Sequence, residues 1–248
     1  MQNMDSLIAQ QFQTQARSVR PLVLMTLAAL LVLVGGLRIL PEESTPLTVK
    51  VMSLLAPTLA TASIGAYVGR NLRGWIAAIG LLVVSVIGLF IIRAAGGSVA
   101  AIPLLLGWWF INGMMLGPFI SAVIAEEGPG IVMQALTGTT AVMMGTGLVA
   151  MVTGIDFSFL MPLLFVGLIG LIVVGLIGIF VRFSRTVNLA YSIFGMVIFA
   201  GYFLFDFFRL SRSENTWEAA AQMTTRLYLD FANFFIYLLQ FLLSSRRR

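Results

Sequence analysis

The sequence contains no cysteine and no histidine. The first absence rules out disulfides, thiolate-held zinc or iron–sulfur centres and a thiol nucleophile. The second removes the commonest metal ligand and the side chain that most often moves protons near neutral pH. Charge is scarce as well: 10% of the 248 residues are charged, against about a quarter in a typical soluble chain. The net charge of +5 is not gathered into a dense basic patch, so nothing points to a nucleic-acid partner.

Apolar residues fill the space that charge leaves. They make up 59% of the chain, and the mean hydropathy is +1.00. Water could not cover that much apolar surface, so the expected solvent is lipid. Eight apolar stretches follow one another, at 22–40, 47–69, 75–92, 102–124, 131–153, 159–181, 187–208 and 226–243. Each is long enough to cross a hydrocarbon core of about 30 Å at about 1.5 Å per residue. The breaks between them are short, which predicts an all-α polytopic bundle of seven to eight transmembrane helices. Residues 1–21 form a polar tail, 22–245 one bundle and 246–248 a basic C-terminus. The stretch 22–40 is too long for a signal-peptide core and lacks a small-residue cleavage site, so it is expected to stay attached. The longest polar break, Ser211 to Thr225, is mildly amphipathic and suits the membrane interface.

With the N-terminus in the cytoplasm and eight crossings, nine cationic residues fall on the cytoplasmic side: Arg17, Arg20, Arg70, Arg73, Arg182, Arg185 and Arg246 to Arg248. Six fall on the other: Arg38, Lys50, Arg93, Arg209, Arg212 and Arg226. The preference is modest and depends on whether 75–92 crosses. Small residues recur at four-residue spacing in Thr61-Gly65-Gly69 and Gly113-Gly117-Ser121, and Gly138 and Gly145 stand two helical turns apart. Such ridges predict close helix packing. Trp108 and Trp109 suit either an interface anchor or the core.

Two carboxylates stand out. Asp206 lies in Tyr202-Phe203-Leu204-Phe205-Asp206-Phe207-Phe208, and Asp230 in Leu227-Tyr228-Leu229-Asp230-Phe231. An acid in such surroundings is costly in a bilayer and belongs inside the bundle with a partner. Asp206 precedes Arg209 by three residues, and Asp230 follows Arg226 by four. If both arginines mark one membrane surface, the two helices are antiparallel and the acids meet at one depth, about 5–6 Å in. On the last helix Arg226, Asp230, Asn233, Tyr237, Gln240 and Ser244 form a polar stripe at helical period. Ser192, Gly195, Phe199, Tyr202, Asp206 and Arg209 keep the same rhythm on the helix before it. A stripe of that length places the last helix at the centre, shielded from lipid, either as a water path or as glue between helices.

Tyr191 to Leu210, Leu227 to Leu242 and Gly117 to Gly147 resemble the Bax inhibitor family, the transmembrane Bax-inhibitor-motif proteins. Asp156-Phe157-Ser158-Phe159-Leu160 is similar to the loop between two of that family's spans. The resemblance implies a seven-span bundle with a central last helix and a pH-dependent calcium leak. It also implies that Asp206 and Asp230 act as the pH sensor, with an arginine latch at a place comparable to Arg70 or Arg73. Stretch 75–92 has no counterpart in the seven-span pattern and is either an added span or re-entrant.

Two carboxyls at hydrogen-bond distance in a low-dielectric site cannot both ionise cheaply. The expected behaviour is a proton shared at low pH and lost as pH rises, with Arg209 or Arg226 as counter-ions. Asn233, Tyr237, Gln240 and Tyr202 are the candidate pore-lining residues. Calcium, which takes about 6–8 oxygens, would find only a weak and passing site at Asp206 and Asp230, so it is expected as a permeant ion and no cofactor is implied. A non-transporting regulator of a membrane-bound quality-control protease is the alternative, with the tail as the recognised segment. An intramembrane aspartyl protease is remote, because Leu227-Tyr228-Leu229 replaces the Gly-x-Gly turn before its aspartate, and the chain is expected not to be an enzyme. The short loops and arginine bias fit a bacterial inner membrane.

Overall fold

A computed structural model describes residues 43–72, 75–94 and 102–246. The polar tail, the stretch 22–40, Arg73 and the last two arginines lie outside the described residues. Seven helices follow in chain order: α1 (Leu47–Gly69), α2 (Trp75–Ala94), α3 (Ile102–Glu127), α4 (Pro129–Val152), α5 (Leu160–Phe180), α6 (Arg185–Leu210) and α7 (Trp217–Arg246). All but α2 are long and apolar enough to cross a membrane over their described residues. The protein is a multi-pass, all-helical membrane protein.

Local chemistry explains several boundaries. Gly128 takes a φ of 80° between α3 and α4, a backbone conformation that suits glycine, and Pro129 then opens α4 where its missing N–H costs nothing. Ser184 caps α6 by accepting from the Val187 amide. Thr216 does the same for α7 through the Ala219 amide. That cap moves the start of α7 well ahead of the expected 226. Residues 217–225 form its first turns, with Trp217, Ala220, Ala221, Met223 and Thr224 buried. The segment thought to suit the interface is therefore mostly helix, and the connector shrinks to 211–216.

Packing sets the direction of every helix. A Cβ at Gly113 would strike the Ala62 backbone, and one at Gly117 would strike Ala66 and Arg70. The partner numbers rise together, so α1 and α3 are parallel. Helix α2 returns between them: Ser85 Oγ donates to Asn112 Oδ1 at 3.2 Å, while Gly88 packs on Trp108 further back along α3. Its 20 residues cover about 30 Å at about 1.5 Å each. Gly138 meets Leu238, and Arg246 donates to Gln134, so α4 is antiparallel to α7. Gly167 meets Ile198 and Gly175 meets Tyr191, so α5 is antiparallel to α6. The seven helices thus alternate in direction. One end of the bundle carries Arg70, the α3–α4 turn, Arg185 and Arg246. The other carries Lys50, the α4–α5 loop, Arg209 and Arg226.

Helix α7 packs against α1, α4 and α6, whereas α5 touches mainly α6 and turns most of its surface outward. The last helix is central, as its polar stripe predicted. Trp108 and Trp109 are core residues, 5% and 0% exposed. Three buried hydroxyls are satisfied within their own helices: Thr58 donates to the Leu54 carbonyl, Thr139 to Ala135 and Ser192 to Asn188. This is how a polar group hides where no water reaches it.

The two small-residue ridges meet each other at backbone distance. Gly113→Leu should cost about 3 kcal/mol, the upper end for overpacking, because the obstruction is main chain. Gly107→Leu on the same helix, with open space around it, should leave the melting temperature in detergent unchanged. Equal melting of the two variants would refute the seam.

Candidate functional site between the last two helices

Helices α6 and α7 cross antiparallel, with Phe203 against Phe234 at 5.8 Å between ring centroids and Arg185 bonding the Ser244 carbonyl at 2.8 Å. That register brings Asp206 and Asp230 together. Their carboxyl groups lie within hydrogen-bonding reach of each other. They are 3% and 6% exposed. Arg226 acts electrostatically on both carboxyls, and the exposed Arg209 acts on Asp206. Oδ2 of Asp230 has no hydrogen-bond partner among the described residues.

The rest of the stripe divides into two zones. Next to the pair comes an aromatic layer. Phe199 stacks on Tyr237 at 5.8 Å and lies 5.7 Å from Tyr202, and the Tyr191 and Tyr237 hydroxyls share a hydrogen bond of 3.2 Å. Asn233 turns its amide onto the Leu229 carbonyl of its own helix, at 2.8 Å. Beyond the layer, at the Arg70 end, α5, α6 and α7 enclose a vestibule of about 690 Å³. Asn188, Ser192, Gln240 and Ser244 line it. Of the candidate pore residues, Gln240 faces the vestibule, Tyr237 and Tyr202 form the layer, and Asn233 is engaged with its own backbone.

Arg70 sits at the opposite end of the bundle from the carboxylates, with its guanidinium 3.7 Å from the Tyr67 ring centroid. The arginines beside the pair are Arg226 and Arg209. Among the described residues no cluster of three or more acidic side chains could hold a metal ion, so two carboxylates are all the pair brings to a cation.

Lys50 escaped the sequence reading, where it served only as a topological charge. It is fully buried. Its ammonium donates to the Asn215 carbonyl at 2.9 Å and to Asn215 Oδ1 at 3.1 Å, and lies 5.6 Å from the Trp217 ring centroid. Thr224 then donates to the Val51 carbonyl at 3.3 Å. The start of α1 therefore clamps the α6–α7 connector and the first turns of α7, which fixes the height of Arg226 and Asp230. The one signal in the sequence was that this is the sole lysine.

The α4–α5 loop closes the same end. Phe157 is buried edge-on to Phe208, 6.0 Å between centroids. Beside it, the Ser158 hydroxyl and amide donate to Asp156 and hold its carboxyl below the usual range.

With this geometry in place, similarity to known proteins decides the family. A family model described as "Inhibitor of apoptosis-promoting Bax1" matches residues 45–248. The chain belongs to the Bax inhibitor family. An uncharacterized protein of Campylobacter jejuni is 32% identical over 207 residues, covering 79% of this chain and 87% of the relative. An uncharacterized membrane protein of Vibrio cholerae is 36% identical over 140 residues, covering 54% and 61%. Bax inhibitor 1 of Schizosaccharomyces pombe is 33% identical over 132 residues, covering 53% and 48%. Of these last two relatives the match spans half to three fifths. The match takes in all seven described helices of this Bax inhibitor family member, so 75–92, expected to have no counterpart, falls inside the matched region.

Proposed function

We propose that the protein is a pH-sensitive cation leak of a bacterial inner membrane, with calcium as a permeant ion and a proton shared by Asp206 and Asp230 as its control. The observation that carries this reading is a pair of buried carboxyls, in mutual hydrogen-bond reach, in line with an aromatic layer and a polar vestibule along one helix seam. At acid pH the shared proton bonds α6 to α7. Its loss leaves two like charges in a buried site, which repel and draw in water. The seam then loosens, the vestibule extends toward the pair, and the two carboxylates meet the entering cation. Arg226 moderates the response by stabilising the ionised form.

The alternating helices, the cationic count of nine against six and the bacterial relatives together favour the Arg70 end as the cytoplasmic one. The carboxylate pair then faces the outer side, and external pH is what it senses. A protease reading finds no support in Leu227-Tyr228-Leu229, which continues α7 as regular helix into Asp230.

The test is reconstitution of the full chain in vesicles loaded with a calcium dye, across a pH series. Flux is expected to be low at acid pH and to rise as pH increases. Flux that is absent throughout, or falls with pH, would refute the proposal.

A further inference from the structure

A second cavity, of about 410 Å³, lies between α1, α3, α4 and α7. It is separate from the carboxylate seam and the vestibule. Its walls are apolar, with Leu59, Leu116, Ile120, Leu136 and Phe235 among them, and one guanidinium, Arg70, is part of its lining. Ser63, Tyr67 and Ile124 on its rim are exposed, so it opens to the outer surface of the bundle. Its volume lies within the roughly 300–1,000 Å³ of ligand pockets.

We propose that this cavity binds one acyl chain of an anionic phospholipid, with the headgroup phosphate against Arg70. Three observations converge on that occupant. The opening faces the surface that lipid surrounds, so the available solute is an acyl chain. From Leu59 to Arg70 the cavity runs about 16 Å at about 1.5 Å per residue, which matches one leaflet's share, about 15 Å, of a 30 Å hydrocarbon core. The cation stands at the bundle's end, at headgroup level. There Arg70 is stacked on Tyr67, and a guanidinium so placed keeps its N–H edge for an anion, to which it bonds in bidentate fashion.

Close packing explains why a cavity persists here. The glycine seam draws α1 and α3 together at backbone distance on one side, while Tyr228, Phe231 and Phe235 of α7 hold them off on the other. Ala66 and Ala232, whose side chains are short, leave the remaining space unfilled.

The experiment is native mass spectrometry of the full chain released from nanodiscs of equal phosphatidylglycerol and phosphatidylcholine. The wild type is expected to retain one phosphatidylglycerol, with a roughly fivefold preference, the size of effect one basic residue has at a membrane surface. Arg70→Gln should bring the preference to parity while keeping one lipid. Ala232→Phe, which fills the cavity, should reduce retention of both lipids. An unchanged preference in Arg70→Gln, or unchanged retention in Ala232→Phe, overturns the proposal. Retention of free fatty acid in place of the diacyl lipid overturns the assignment of the source. Should Ala232→Phe fail to fold, phosphatidylglycerol with a photoreactive tail decides on the wild type. Crosslinks at Leu59, Ile120 or Phe235 support the site, and crosslinks confined to α5 refute it.

Discussion

Asp206→Asn and Asp230→Asn should each abolish the pH dependence of cation flux. The reason is arithmetic: a proton cannot be shared by one carboxyl. An amide in either place keeps the size of the side chain and can still donate to the remaining carboxyl, but it does not titrate. The single carboxyl left is then bonded by the amide and stabilised in its ionised form by the charge of Arg226, and no like-charge repulsion develops at any pH. The seam should hold closed, with flux flat and near the acid-pH level of the wild type. Replacing both acids should add nothing to either single change, because the pair acts as one unit. The measurement is dye-reported calcium entry into vesicles for wild type, both single variants and the double variant. A wild-type pH profile in both single variants would refute the sensor role.

The second large effect is expected at the aromatic layer. Tyr237 stands between vestibule and carboxylates, bonded to Tyr191 and stacked on Phe199. A Cβ added at Gly195 would strike the Tyr237 ring, so the ring packs directly against the α6 backbone at that level. Tyr237→Ala should open a continuous polar route and raise flux at acid pH about tenfold, equivalent to removing about 1.4 kcal/mol of barrier. Tyr237→Phe loses only the hydroxyl contact with Tyr191 and should change flux much less. Equal flux in wild type and Tyr237→Ala would show that ions do not travel along this seam.

Much of this site could be read from residue spacing alone. Asp206 and Asp230 each keep a fixed distance from an arginine, so an antiparallel pair had to place them at one depth. The three-and-four rhythm from Arg226 to Ser244 showed that α7 presents one polar face and sits among protein neighbours. Helix packing at the glycine ridges was legible too, but which ridges meet was not. Spacing fixes a face of one helix, and says nothing of the rotation of its neighbours. For the same reason the vestibule was hidden, since it needs three helices placed around Gln240. The start of α7 was missed because the polar residues from Ser211 to Thr225 mask a Thr216 cap and an alanine-rich first turn. Lys50 was missed because a cation at the head of a span is ordinarily solvated, and only the folded connector shows it buried on Asn215. Arg70 drew attention as the end of a span, and the direction of α1 sets it far from the carboxylates.

On the proposed mechanism Asp206 and Asp230 hold one proton between them. Infrared difference spectroscopy of the full chain in lipid, titrated from acid to alkaline pH, addresses it directly. A protonated-carboxyl band should disappear in step with the rise in calcium flux and be missing over that pH range in both Asp206→Asn and Asp230→Asn. A band that survives in either variant, or two carboxyls that titrate independently of each other and of flux, would contradict it.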